Sequence, residues 1–190
     1  PLPARALALE DILVAFGVRL LPLLLWGFKG CTFDECFYSD LARSIEASEG
    51  LPENKGWLWA PGYPYLLAVF ASFEDLLRIK RLQVYLAMLT VALLYRIADR
   101  ALDRRTARVT AMLFALHPTL AFFAGTLWSE TSYALLLVSA ALALLWSRAG
   151  HWARGLGVGL LLGGCVLFRG VATYMAPVFL LAALWPEGET

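Results

Sequence analysis

Two adjacent carboxylates, Asp34 and Glu35, follow the first long apolar run, with Tyr38 and Ala42 completing the pattern D-E-x-x-Y-x-x-x-A. A carboxylate so placed can act as a general base, taking the proton from a hydroxyl or amine as that group attacks an electrophile. The competing reading is a solvated charge at a helix N-terminus. A third carboxylate, Glu130, closes the stretch Leu127-Trp-Ser-Glu130. The stretch Trp59-Ala-Pro-Gly-Tyr-Pro-Tyr65 sets two prolines and a glycine among Trp57, Trp59, Tyr63 and Tyr65, aromatics suited to the headgroup layer. Arg169 has apolar neighbours on both sides, so it needs an anion or a cavity, or must snorkel to the interface. Its planar guanidinium suits a phosphate. Arg19, inside the first apolar run, raises the same question, and His117-Pro118 reads as a kink.

Other chemistries fit poorly. Cys31, Cys36 and Cys165 lack the spacing and the nearby His of a zinc site. Cys31 and Cys36 are compatible with a disulfide in an oxidising compartment, but two free thiols are the expectation. Gly155, Gly157, Gly159, Gly163 and Gly164 follow no strand and precede no Lys-Ser/Thr, so they predict close helix packing rather than a nucleotide loop. The carboxylate pair works with or without a divalent ion, and no metal ligand set is assigned.

The elements that must position these residues are membrane helices. The chain has 190 residues, 60% hydrophobic and 16% charged, with a mean hydropathy of +0.66, well above a soluble domain. A net charge of +1 spread between apolar runs argues against nucleic acid as a partner. A span needs about 20 apolar residues. Ile12 to Phe28, Leu82 to Ile97, Ala107 to Trp128 and Thr131 to Trp146 are candidates. Gly155 to Phe168 and Val171 to Trp185 add one interrupted helix or two short ones, split at Arg169-Gly170. The first run lacks a cleavage site and is expected to be retained.

Tyr63 to Phe73 would rise only about 16 Å as a helix, too little to cross, so it is assigned to the interface. With that assignment most Lys and Arg outside the spans fall on the cytoplasmic side, and without it most fall outside, so the positive-inside rule favours it. The loop 29–81 and Ser129-Glu130 then share the extracytoplasmic face. Within the loop, 34–48 predicts a helix with Phe37, Leu41 and Ile45 on one side, stopped by Gly50 and Pro52. The predicted fold is all-α: one polytopic membrane bundle over 1–190, with five or six transmembrane helices and a large first outer loop holding interfacial helices. A start on Pro1 rather than Met suggests a trimmed or fragmentary chain.

In order and spacing these features resemble the N-terminal module of the GT-C glycosyltransferases of the family-39-like group, which includes protein O-mannosyltransferases and aminoarabinose transferases. The matching residues are Asp34-Glu35, Tyr38 and Ala42; APGYPYLLA from Ala60 to Ala68; Leu116-His117-Pro118 leading to Ser129-Glu130; and Gly159 and Gly163 leading to Leu167-Phe168-Arg169. Arg169 is followed by Gly170 where many relatives place Pro, and Cys36 stands where some carry a basic residue. Relatives of this type usually continue through further spans.

The resemblance implies an inverting transferase that uses a polyprenyl-phosphate-linked sugar as donor on the extracytoplasmic face of the plasma or inner membrane, without a nucleotide sugar. On that analogy Asp34 is the general base, Glu35 and Glu130 position acceptor or donor, Arg169 lies near the lipid phosphate, and Tyr38 and Tyr63 line the substrate. Membrane lipid and the lipid-linked donor are the expected partners, with a further membrane subunit compatible. The acceptor is not named by any motif. The rival readings are a non-catalytic assembly module of the same fold and a small transporter or lipid-handling protein.

Overall fold

A computed structural model describes residues 9–26, 34–51, 60–71, 76–146 and 151–184. The described residues form nine α-helices and no strand: α1 Leu9–Trp26, α2 Asp34–Glu46, α3 Gly62–Ala71, α4 Leu76–Ala101, α5 Arg104–Leu116, α6 Pro118–Gly125, α7 Glu130–Trp146, α8 His151–Phe168 and α9 Ala176–Leu184, with a 3-10 segment Gly170–Met175 between the last two. The expected positions at Cys31, Pro52, Trp57 and Trp59 lie outside the described residues.

The helix boundaries follow from local chemistry. The predicted outer-loop helix is α2, which ends where Ser48 and Gly50 turn left-handed (φ 62° and 71°), and Ser44 donates its hydroxyl hydrogen to Gly50 O at 2.9 Å. Asp103 starts α5 by accepting from the backbone N–H of Arg105 and Thr106 at 2.8 and 3.1 Å. The third predicted span is broken. His117 takes an extended conformation, Pro118 opens α6, and α5 and α6 bend by 58°. Because Pro118 has no N–H, the carbonyl of Phe114 loses its helical partner. Arg19 supplies one, donating to Phe114 O at 2.7 Å and to Leu120 O at 3.2 Å, with its guanidinium 5.0 Å from the Phe114 ring centre. Arg19 is 1% exposed, so it staples the break rather than snorkelling.

Helix α4 is the central element, packed against α1, α3, α5, α6 and α7. Ala107, Ala111 and Ala115 form a fully buried stripe on α5, where small side chains allow close approach. Gly125 does the same between α6 and α1: a Cβ there would lie 2.6 Å from Leu23 N and 2.9 Å from Pro22 Cβ. At one end Asp11 pairs with Arg108 at 2.7 Å, tying the first turn of α1 to the N-terminal part of α5. The glycine run of α8 departs from expectation. Gly155, Gly157, Gly159 and Gly163 face open space, and only Gly164 meets α7, 3.3 Å from Leu136 Cδ1.

Polar and charged side chains share the interior with apolar ones, while many large apolar side chains face outward. Arg19, Glu35, Lys80, Gln83, Thr90, Ser129 and Ser132 are buried, whereas Leu13, Leu24, Leu113, Leu156, Leu160 and Leu181 are exposed. Lipid suits such an exterior, and buried partners suit such an interior. Among the described residues α4 alone is long and apolar enough to cross a membrane unaided, with the bent α5–α6 pair as a second candidate. Helices α1, α7 and α8 are shorter or carry more charge, and the sequence stretch around Arg169 divides into two helices.

Candidate active site

Five elements meet at one end of the bundle: α2, α3, the first turns of α4, the α6–α7 turn and the last turn of α8. The core beneath them is Tyr38, Ala42, Tyr63, Leu67, Ile79 and Leu127, with Phe168 packed against it. Gly62 makes the junction of α3 with α8, since a Cβ there would lie 2.7 Å from Leu167 O. That contact sets Tyr63 beside Phe168, ring centres 6.3 Å apart, and edge-on to Tyr38 at 4.8 Å.

Polar groups cross this core in pairs. Glu35, 2% exposed, meets Lys80 Nζ at 2.9 Å and accepts the backbone N–H of Leu127 at 2.7 Å. The second contact is available because the turn between α6 and α7 leaves that N–H outside any helix. Tyr38 Oη lies 3.5 Å from Ser129 Oγ. Tyr63 donates its hydroxyl to Gln83 Oε1, and the Gln83 amide nitrogen donates to the carbonyls of Phe123 and Thr126. Arg169, at the end of α8, is paired with Glu130 in the first turn of α7.

These environments set the phenols. Burial raises the pKa of the Tyr38 hydroxyl, and nearby Glu130 and Asp34 push the same way against the Ser129 contact and Arg169. Tyr63 is held well above its ordinary value, by burial first and then by Tyr38, Glu35 and Glu130. Both rings therefore stay neutral hydrogen-bond donors.

Asp34, directly before Glu35, is half-buried and makes no ion pair or hydrogen bond among the described residues. Glu35 and Glu130 are both engaged by cations. Asp34 is thus the carboxylate of the cluster without a counter-ion among the described residues. All six residues singled out by sequence, Asp34, Glu35, Tyr38, Tyr63, Glu130 and Arg169, belong to elements that converge here. Two that were not singled out are Lys80 and Gln83. Their signal was positional: on α4 they continue the buried series Ile79, Val84, Ala87, Thr90 and Val91, while Arg78 and Arg81 lie exposed.

Cys36, two positions from Asp34, is disulfide-bonded, which corrects the expectation of free thiols; Cys165 is free and buried. Cys31, the bonding candidate named by spacing, lies outside the described residues. No group of three or more His, Cys, Asp and Glu among the described residues is placed to hold a metal ion.

A family model described as dolichyl-phosphate-mannose-protein mannosyltransferase matches residues 59–190. No curated protein and no solved structure matches the chain. Asp34 to Tyr38 precede the matched segment, but Lys80, Leu127 and Ser129, which hold α2 in place, lie within it.

Proposed function

The chain belongs to the dolichyl-phosphate-mannose-protein mannosyltransferase family, and on that premise we propose that it is a GT-C-type glycosyltransferase, or the module of one, that moves a sugar from a polyprenyl-phosphate carrier to an acceptor on the extracytoplasmic face. On this reading the bundle crosses the membrane five or six times, and the cluster at the α2 and α3 end lies at the outer interface. The observation that carries the proposal is the state of Asp34: an uncommitted, half-buried carboxylate beside two carboxylates that are neutralised by Lys80 and Arg169.

The chemistry is one displacement. Asp34 takes the proton from an acceptor hydroxyl or amine as that atom attacks the anomeric carbon of the sugar. The bond from that carbon to the phosphate oxygen breaks, and the polyprenyl phosphate leaves with the electron pair. Attack opposite the leaving group inverts the anomeric centre. Arg169 meets the phosphate by exchanging Glu130 for it, since a guanidinium binds either oxyanion in the same planar geometry. Glu35 serves as an anchor, fixing α2 to α4 and to the α6–α7 turn so that Asp34 keeps its place. Tyr38 and Tyr63 form the neutral, aromatic wall of the substrate space. A divalent ion at the phosphate is compatible with this scheme, and no step requires one.

The test is transfer from a pool of polyprenyl-phosphate sugars by purified protein. Asp34→Asn should lower transfer by about 10²-fold or more while the protein melts as the parent does. Equal turnover by the two forms would remove the catalytic assignment.

A further inference from the structure

Glu130 is held on one side only. Its Oε1 faces Arg169, whereas Oε2 is buried with no hydrogen-bond partner among the described residues. Arg19 shows the complementary defect. Its two terminal nitrogens are spent on Phe114 O and Leu120 O, and its Nε is buried and unpartnered. An orphaned donor and an orphaned acceptor on two charged groups are each costly in a low-dielectric interior. Both residues line the same small cavity, of about 10 Å³, together with Ala87, Thr90, Thr131 and Ala134.

The size and the polar inventory together select an occupant. A water needs roughly 10–15 Å³ of such space and two to four polar partners. Arg19 Nε–H can only donate, and Glu130 Oε2 can only accept. The Thr90 and Thr131 hydroxyls already donate to Leu86 O at 2.9 Å and Phe123 O at 3.0 Å, so each has only lone pairs left to offer. The required guest accepts one hydrogen bond and donates one or two. Glu130 repels an anion and Arg19 repels a cation. An apolar guest would leave both orphans unsatisfied.

We propose that this cavity is a built single-water site through which Arg19 positions Glu130. The water accepts from Arg19 Nε and donates to Glu130 Oε2, while Arg169 holds Oε1. Arg19 is therefore a positioning residue with two duties, bridging the α5–α6 break through its terminal nitrogens and orienting the Glu130 carboxylate through Nε. The inference concerns a residue of the proposed active site, but it is read by structure, spectroscopy and melting, so its failure is distinguishable from failure of the transfer reading.

Two variants leave the Arg19 staple intact: Thr90→Val removes a water acceptor at nearly constant volume, and Ala87→Val fills the cavity. An experimental structure of the full chain, at a resolution that shows ordered waters, should have density between Arg19 Nε and Glu130 Oε2 that is missing in Ala87→Val. The carboxylate infrared band lost in Glu130→Gln should shift in Thr90→Val. The melting-temperature losses of Thr90→Val and Glu130→Gln should sum to more than the loss in the double variant, because each breaks the same bridge. If Ala87→Val fails to fold, the infrared shift and this cycle still decide. A dry cavity in the parent structure, an unmoved band or strictly additive losses would overturn the proposal.

Discussion

Glu35 on α2 and Lys80 on α4 form an ion pair at 2.9 Å with both side chains withdrawn from solvent. Both charges lie at a depth where solvent does not screen them, so the pair behaves as one unit. Replacing Glu35 by Gln or Lys80 by Met alone should destabilise the protein by about 3–5 kcal/mol, since each leaves an uncompensated buried charge. The double variant should recover most of the loss. Thermal melting in detergent checks this, and single variants that melt like the parent would show that the pair anchors nothing.

Asp34 and its neighbour should separate by assay. Asp34→Asn should lower transfer by about 10²–10⁴, the usual contribution of a positioned base, with an unchanged melt. Glu35→Gln should lower both transfer and melting temperature. Measuring both quantities on both variants distinguishes the open carboxylate from the anchored one.

The broken helix offers a rescue experiment. Arg19→Met leaves the Phe114 carbonyl without a partner, a loss of about 1–3 kcal/mol. Adding Pro118→Ala returns an N–H four residues on from Phe114, so the double variant should melt above Arg19→Met. No recovery would mean that the Phe114 bond is not what Arg19 contributes to stability.

Acid should weaken the α4–α5 junction. The hydrogen bonds Asp103 accepts from the Thr106 hydroxyl and N–H, and from the Arg105 N–H, hold its carboxyl below the usual carboxylate range. Across the window between the unfolded and folded values the unfolded chain binds more protons, so stability rises with pH there. The contribution is complete above the unfolded value and is lost as pH falls through the folded one. Asp103→Ala should melt lower at neutral pH and show a shallower acid-side slope than the parent.

Thiol counting tests the bond at Cys36. Denatured, unreduced protein should take one alkyl group, at Cys165; after reduction it should take three, the full cysteine content of the chain. Three groups without reduction would rule out the disulfide.

Much of this site was legible because its residues announce themselves by type. A carboxylate pair after an apolar run, prolines around a tyrosine and an arginine between apolar neighbours are each costly or unusual where they stand, and the folded chain gathers all three. Lys80 was hidden by an ordinary explanation, because a Lys near Arg78 and Arg81 reads as one more topological charge. Only its phase on α4, shared with Gln83, marks it as inward. Arg19 was visible as a problem but not as a solution, since one of its partners, the Phe114 carbonyl, is made available by a proline far along the chain. The glycines of α8 misled for a related reason: small residues permit close packing, but a facing helix must be present to use it, and among the described residues only Gly164 meets one.

The junction of Gly62 with Leu167 bears on how the protein is made. Helix α3 is synthesised early, yet the backbone it must lie against emerges only with the end of α8. During elongation Tyr63 has neither Phe168 nor the α6–α7 turn beside it, so the aromatic wall cannot assemble in the order of translation. Helix α3 must wait for this partner until the later helices have been made. The cluster is accordingly completed only once α8 has been made, and a chain stalled before residue 167 would carry α2 and α3 without the partner that orders Tyr63.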